Sequence, residues 1–493
     1  MSGNPDHSIV NLPAATHNSL FRDLSFNDLF NYSKVSSAAY TAVQKFYRRA
    51  LRIENILLPY FSLEDINRFR ILQYAYGILI SGSAALSFFE RQTYPESDLD
   101  LYVNVKYCSI LADFLVGAGY EFLPHISENK QQPFRLQRAI EEAIERFEEP
   151  VVDPPLGMQT PRYSIAGILD VFTFVRDDGK KVEVIVCESS PMKVILGYHS
   201  TVVMNVIGYS HAISLYPKST FRNRVTLRNG RRRQQEAKAI RARKKYEDRG
   251  WETITSVDAI AALAYNSDLN MFTRYPGDKY CWTVELPPVD NFVESEPGLG
   301  RAEYLKAHSW RLNYVNWTET RTVLKVFSQP QLKQEYCLAP EVLEELKEYP
   351  MFEEVSEQED QEQANEQPHL DTELQDVVSE LYHRSQQDKV NDYIRNKLLA
   401  AFTDMSHRYA SGLLPSACVV QALYHHLLDV FATLQRKPTL KIWFGQSSSG
   451  IIWTNVAVVM PLTRGRNVAT LRINDDVLQT LQSYKVNLDV VRR

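Results

Sequence analysis

Little in this chain could tie it together covalently. Its 493 residues include five cysteines, Cys108, Cys187, Cys281, Cys337 and Cys418. They are odd in number, widely scattered and without Cys-x-x-Cys or Cys/His spacing, which argues against a disulfide framework and against a zinc site. That usage suits a reducing compartment, and a cytoplasmic or nuclear location is expected. No apolar run reaches membrane-spanning length, and the opening "MSGNPDHSIVNLPAATHNSL" lacks the basic and apolar regions of a secretory signal, so neither a membrane nor secretion is expected. Charge of one sign is scarce too: 55 Lys and Arg against 60 Asp and Glu leave a formal net charge of -5, not the profile of a general nucleic-acid binder. Internal repeats are absent.

What is present suits a globular chain: 44% hydrophobic and 23% charged residues over a length that allows two to four domains. The charge is segregated. Arg222 to Arg249 is strongly basic, and Glu353 to Gln367, "EEVSEQEDQEQANEQ", contains no Lys or Arg. The acidic stretch predicts a disordered linker. The basic one reads as a solvated helix or nuclear-import signal, or as a phosphate-contacting arm; the near absence of interleaved aromatics favours the first.

Along the chain, Leu20, Phe21, Leu24, Leu29 and Phe30 recur at helical intervals with Ser25 and Asn27 as turn residues, so a helical head is expected over 1–70. From Tyr76 the pattern turns to "YGILISGS" (strand), "AALSFFERQ" (helix), "SDLDLYVNV" (strand) and "YCSILADFLVGAG" (helix). That order predicts an α/β domain over 71–220. Residues 121–161 look like an insertion carrying a charged helix around Phe134 to Glu148. Asp178-Gly179 between two β-rich runs signals a hairpin, so the sheet should be mixed. A basic and aromatic-rich region is expected over 221–350, the linker over 351–369 and a C-terminal α+β unit over 370–493, with a hairpin, a third strand and a closing helix. His425-His426 lies in a helical pattern beside Leu423, Leu427 and Leu428; successive positions do not share a face, which favours structural histidines over metal ligands.

The stretch "ISGSAALSFFERQTYPESDLDLYV", Ile80 to Val103, carries the chemistry. Asp98 and Asp100 alternate with Leu99, Leu101 and Val103, so both carboxylates project from one strand face with alpha carbons roughly 6.5–7 Å apart while the apolar residues face the core. Paired carboxylates can hold magnesium together with substrate phosphates and waters, the arrangement of two-metal phosphoryl transfer. Gly82-Ser83 supplies the complement: glycine lets backbone approach closely, and amides opening the next helix can meet a triphosphate.

These residues resemble the nucleotidyltransferase fold of the DNA polymerase beta superfamily, with Gly-Ser, a helix-length gap and Asp-x-Asp among apolar positions. The resemblance spans about Tyr76 to Tyr216. It implies an NTP substrate, a hydroxyl acceptor, and magnesium, or manganese in its place, held by Asp98, Asp100 and a third carboxylate. Glu183 in "KKVEVIVC" is the candidate for the third, since it alternates with Val182, Val184 and Val186, with Asp170 in "GILDVFTF" as the reserve. Gly82 and Ser83 would then hold the triphosphate, and "HSTVVMN", resembling a polar helix start, would contact sugar or phosphate through Ser200, Thr201 and Asn205. The chain departs from the pattern in a slightly longer gap between Ser83 and Asp98, in Glu where Asp is commoner, and in lacking a base-recognition motif.

The head resembles an F-box, the helical module that docks the adaptor of cullin ubiquitin ligases. Leu12-Pro13, Leu20-Phe21, Leu24, Asp28-Leu29 and Val35-Ser36 within residues 11–51 carry that likeness; an ordinary helical cap is the alternative. An F-box would leave Leu12, Pro13, Leu20 and Phe21 available to a partner. The combination is similar to a group of fungal proteins without an assigned activity. Two expectations follow: a magnesium-dependent nucleotidyltransferase, with RNA as one acceptor through Arg222–Arg249, or a catalytically silent protein of that fold acting as an interaction or ubiquitin-ligase substrate adaptor.

Overall fold

The computed structural model describes residues 14–94, 97–124, 136–148, 167–230, 236–255, 267–290, 292, 304–315, 319–352, 370–383, 439–446, 452–459, 467–473 and 488–490. The chain forms two compact units: Met1–Ser256 with Phe272–Ser379, and Val257–Met271 with Glu380–Arg493.

Five helices open the first unit: α1 (Ala14–Phe21), α2 (Phe26–Ser33), α3 (Ser37–Ala50), α4 (Glu54–Leu57) and α5 (Leu63–Tyr76). Local signals set their limits. Ser25 caps α2 in a reciprocal box with Asp28, Ser36 caps α3, and Ser62 caps α5, each cap satisfying amides the helix leaves unpaired. Gly77, at φ 62°, closes α5 in the left-handed conformation that glycine adopts without penalty.

The strands and helices that follow are β1 (Leu79–Ser81), α6 (Gly82–Glu90), β2 (Leu99–Asn104), α7 (Cys108–Gly117), β3 (Glu121–Leu123), α8 (Leu136–Glu148), β4 (Ile168–Val175), β5 (Lys181–Cys187), α9 (Pro191–Leu196), β6 (Asn205–Ile207) and β7 (His211–Ser214). Next come β8 (Val225–Leu227), α10 (Glu236–Glu247), β9 (Glu252–Ile254) and β10 (Trp282–Glu285). Eight strands make one sheet in the order β10-β7-β6-β1-β2-β5-β4-β3. Only β2 and β5 run parallel in it; its other neighbours are antiparallel. The α/β reading with a mixed sheet therefore holds, and Gly179 turns the β4–β5 hairpin at φ 82°.

Three local expectations differ from the fold. Glu121–Leu123 is the sheet's edge strand, so the segment read as an insertion begins inside the sheet. The "HSTVVMNV" stretch is not a helix: a short 3-10 turn at Thr201–Val203 leads directly into β6. β10, in the basic and aromatic-rich region, pairs with β7 and belongs to the same sheet.

The head shares this core. Phe21, Leu29, Val43, Phe46 and Tyr47 are buried in one cluster with Phe88, Phe89, Leu99 and Leu101. Trp282 gathers the elements, with ring centroids of Phe26, Tyr47 and Phe89 at 4.8, 5.1 and 5.1 Å. Arg91, at φ 57°, donates to the carbonyls of Phe21, Arg22 and Leu24 and so covers the carboxyl end of α1. Of the four residues an F-box would present, Phe21 is 2% exposed and Leu20 is 46% exposed; Leu12 and Pro13 lie outside the described residues.

Past Tyr304 the first unit adds β11 (Arg311–Val315), β12 (Glu319–Val323), β13 (Lys325–Phe327), β14 (Tyr336–Leu338), α11 (Pro340–Leu346) and the helical residues 371–379. In the second unit, β15 (Thr439–Gln446) pairs antiparallel with β16 (Ile452–Val459), and β16 with β17 (Asn467–Ile473); the closing helix expected after them lies outside the described residues. A fourth strand, β18 (Leu488–Val490), runs parallel to β15. Of the linker expected over 351–369, Met351 and Phe352 instead end a short 3-10 turn with Phe352 buried; residues 353–369 and His425-His426 lie outside the described residues. Among the described residues no helix is long and apolar enough to cross a membrane.

Candidate functional site

Strand register places the carboxylates. Ser81 of β1 pairs with Asp100 of β2, Asp100 pairs with Glu183 of β5, and Glu183 pairs with Thr173 of β4. Cross-strand partners share a face, so these four residues form one row across four strands. The other face is apolar: Leu99, Leu101, Val103, Val182, Val184 and Val186 are all fully buried. Each such side chain contributes about 1.5–3 kcal/mol by leaving water. A slip of one residue would put that row of polar groups into the core, so the register is strongly specified.

At the end of β1 the chain turns through Gly82, at φ 66°, into α6. A Cβ on Gly82 would stand 2.1 Å from Asp100 Oδ2, so glycine is what lets this backbone lie against the carboxylate. Ser83 is buried in the first turn of α6. Asp98, Asp100 and Glu183 are half-buried. Lys181, two residues before Glu183 on the same face, bridges the outer pair, its Nζ donating to Glu183 Oε1 at 2.7 Å and to Asp98 Oδ2 at 3.1 Å.

Among the described residues Asp100 has no such partner, and its ionisation shows it. Burial first, then the charges of Glu183 and Asp98, push its carboxyl up to about 7, against the weaker pull of Lys245 and Lys181. The Lys181 pKa is raised as well: burial pulls it down, but Glu183 and Asp98 outweigh that and hold the ammonium protonated. Lys245 and Tyr246 of α10 both feel the Asp100 charge: burial lowers the lysine's pKa while the three carboxylates raise it, and burial raises the tyrosine's. Beside Asp100 on β2, the Tyr102 hydroxyl meets that of Tyr198 at 2.6 Å.

Glu183 stands with the two aspartates. The reserve residue, Asp170, does not: its alpha-carbon partner is Val186, and its carboxylate pairs with Arg146 of α8 at 2.6 Å. Ser200, Thr201 and Asn205 are at most 1% exposed and are held in local bonds. Ser200 Oγ meets His199 Nδ1 at 2.8 Å, Thr201 Oγ1 accepts from the Leu227 amide at 2.9 Å, and Asn205 Nδ2 donates to Val202 O at 2.8 Å. The Ser81 hydroxyl donates to the Asn205 carbonyl at 2.6 Å, tying β1 to β6. These contacts give the "HSTVVMN" residues a structural role, with Asn205 Oδ1 left unpaired among the described residues.

Lys181, Lys245 and the tyrosine pair were not singled out from sequence. Lys181 was open to detection, because the alternation that put Glu183 on the aspartates' face puts residue 181 there too. Lys245 was not, since only the packing of α10 brings it near.

Three carboxylates are the donor set a hard dication prefers. As arranged they do not fit one: among the described residues no group of three or more His, Cys, Asp or Glu side chains is disposed to hold a metal ion, and the Lys181 ammonium occupies the gap between Asp98 and Glu183. No protein-family model, curated protein or solved structure matches the chain.

Proposed function

We propose that the protein is a nucleotidyltransferase of the DNA polymerase beta type, transferring a nucleoside monophosphate from a magnesium-bound NTP to a hydroxyl acceptor and releasing pyrophosphate. The observation that carries this reading is the register row: Asp100 and Glu183 face each other on parallel strands, with the Gly82 backbone against Asp100. In this reading the phosphates lie over Gly82, Ser83 and the first turn of α6. Asp100, the carboxylate that titrates near neutrality, accepts the proton of the attacking hydroxyl. Asp98 and Glu183 supply the negative field that draws the substrate's cation. Lys245 lies close enough to act on all three carboxylates, which brings one lysine of the basic Arg222–Arg249 stretch to the site and is what supports RNA as the acceptor. The four cysteines among the described residues are free, three of them buried, which agrees with a cytoplasmic or nuclear home.

A catalytically silent protein of the same fold is the second reading, and the Lys181 bridge favours it, since a neutralised cluster has less need of a cation. The two separate on incubation with each radiolabelled NTP, magnesium and a panel of RNA, protein and small-molecule acceptors. Label should transfer with the native chain and not with Asp98→Asn/Asp100→Asn. Absence of both label transfer and thermal stabilisation by any of the four Mg-NTPs would end the enzyme reading.

A further inference from the structure

The disagreement between a metal-binding donor set and a site that does not gather around a metal has a local cause. Lys181 and Glu183 alternate on β5 and project from one face, and Asp98 immediately precedes the neighbouring strand β2, whose Leu99 pairs with Val182. The Lys181 ammonium reaches both carboxylates, at 2.7 and 3.1 Å. A lysine there neutralises one of three negative charges and fills the space between two of the ligands. Its side chain is 35% exposed, and a partly solvated ammonium–carboxylate pair is a weak tie held by a flexible stem. A dication brings twice the charge to the same oxygens and can take its place.

We propose that Lys181 is a built-in competitor for the metal: it holds the carboxylates closed as an internal cation, and a divalent ion enters only by displacing it. This rests on the nucleotidyltransferase reading for its purpose, but not for its geometry. The consequence is a threshold. Free dication at low concentration leaves the site closed, whereas a cation delivered with phosphates, which give the displaced ammonium a new anionic partner, opens it.

The test uses the full chain and Mn2+ alone, with free Mn2+ followed by electron paramagnetic resonance. Lys181→Met should bind Mn2+ about tenfold more tightly than the native protein, the repulsion between an ammonium and a dication a few ångströms apart having gone. Lys181→Arg, which keeps the charge, should bind no more tightly than the native chain, and Asp98→Asn in the Lys181→Met background should abolish the gain. If the methionine variant does not melt cooperatively, Lys181→Gln takes its place. Equal Mn2+ affinity of native and charge-removed chains, or no Mn2+ binding by either, overturns the proposal. Thermal stabilisation by Mg-NTP, read on the same proteins, keeps the two ideas apart. A nucleotide response without the Mn2+ gain refutes the role of Lys181 alone, whereas the gain without a nucleotide response leaves Lys181 standing and refutes the transferase.

Discussion

Asp100 lies between two carboxylates that share a lysine and has no ammonium of its own among the described residues. Its ordinary pKa in an unfolded chain is about 4, and in the fold it is pushed up to about 7 by burial and by Glu183 and Asp98. The folded protein therefore binds a proton between those values that the unfolded chain does not. Stability fully present below about pH 4 is lost as pH rises through 7, and the loss levels off above. Asp100→Asn removes the titration while keeping the side chain's size, so its stability relative to the native chain should rise steadily from pH 5 to 7 and stay constant beyond 8. Urea melts at pH 5, 6, 7 and 8 measure this; a stability difference that does not change with pH would show that the carboxyl titrates normally.

At the scale of the element, the β1–α6 turn joins backbone conformation to the site. Alanine at Gly82 meets two obstacles: the left-handed conformation at φ 66°, costing about 1–2 kcal/mol, and the carboxylate of Asp100. Gly119, at φ 85° with open space around it, presents only the first. Gly82→Ala should therefore destabilise the chain more than Gly119→Ala does, and Asp100→Ala should narrow that difference through a double-mutant cycle. Denaturant midpoints of the native chain, the three single variants and the two double variants decide it: unchanged spacing between the two alanine variants in the Asp100→Ala background would mean that the carboxylate does not press on this turn. The "SGS" at the end of an apolar run was legible as a turn that needs glycine. That Asp100 is the group lying against it was not, because the contact depends on how β1 registers with β2.

For the whole molecule, the head is the informative part. Phe21, Leu29, Val43 and Phe46 are at most 2% exposed and join the same core as the sheet's helices. At about 1.5–3 kcal/mol for each large buried side chain, they contribute on the order of the entire net stability of a domain. A chain lacking residues 1–51 should accordingly lose its cooperative thermal transition, and residues 1–60 alone should remain unfolded by circular dichroism. A truncated chain that melts cooperatively within a few degrees of the full one would mark the head as an appended module, as the F-box likeness implies.

The sequence by itself determined the local pieces: period-two alternation put Asp100 and Glu183 on strands, with Asp98 just ahead of the first, and their apolar neighbours inward, and serines and glycines marked where helices start and stop. Those signals act within a few residues, so they survive without a partner. The tertiary structure decided what meets what. It set Glu183 rather than Asp170 beside Asp100, because β5 runs parallel to β2 while Asp170 turns to Arg146. It spent Ser200, Thr201 and Asn205 on holding β6 and its approach in place, and it folded the head into the common core. It also laid the Lys181 ammonium between two carboxylates, since the bridge to Asp98 exists only once strands 83 residues apart have paired.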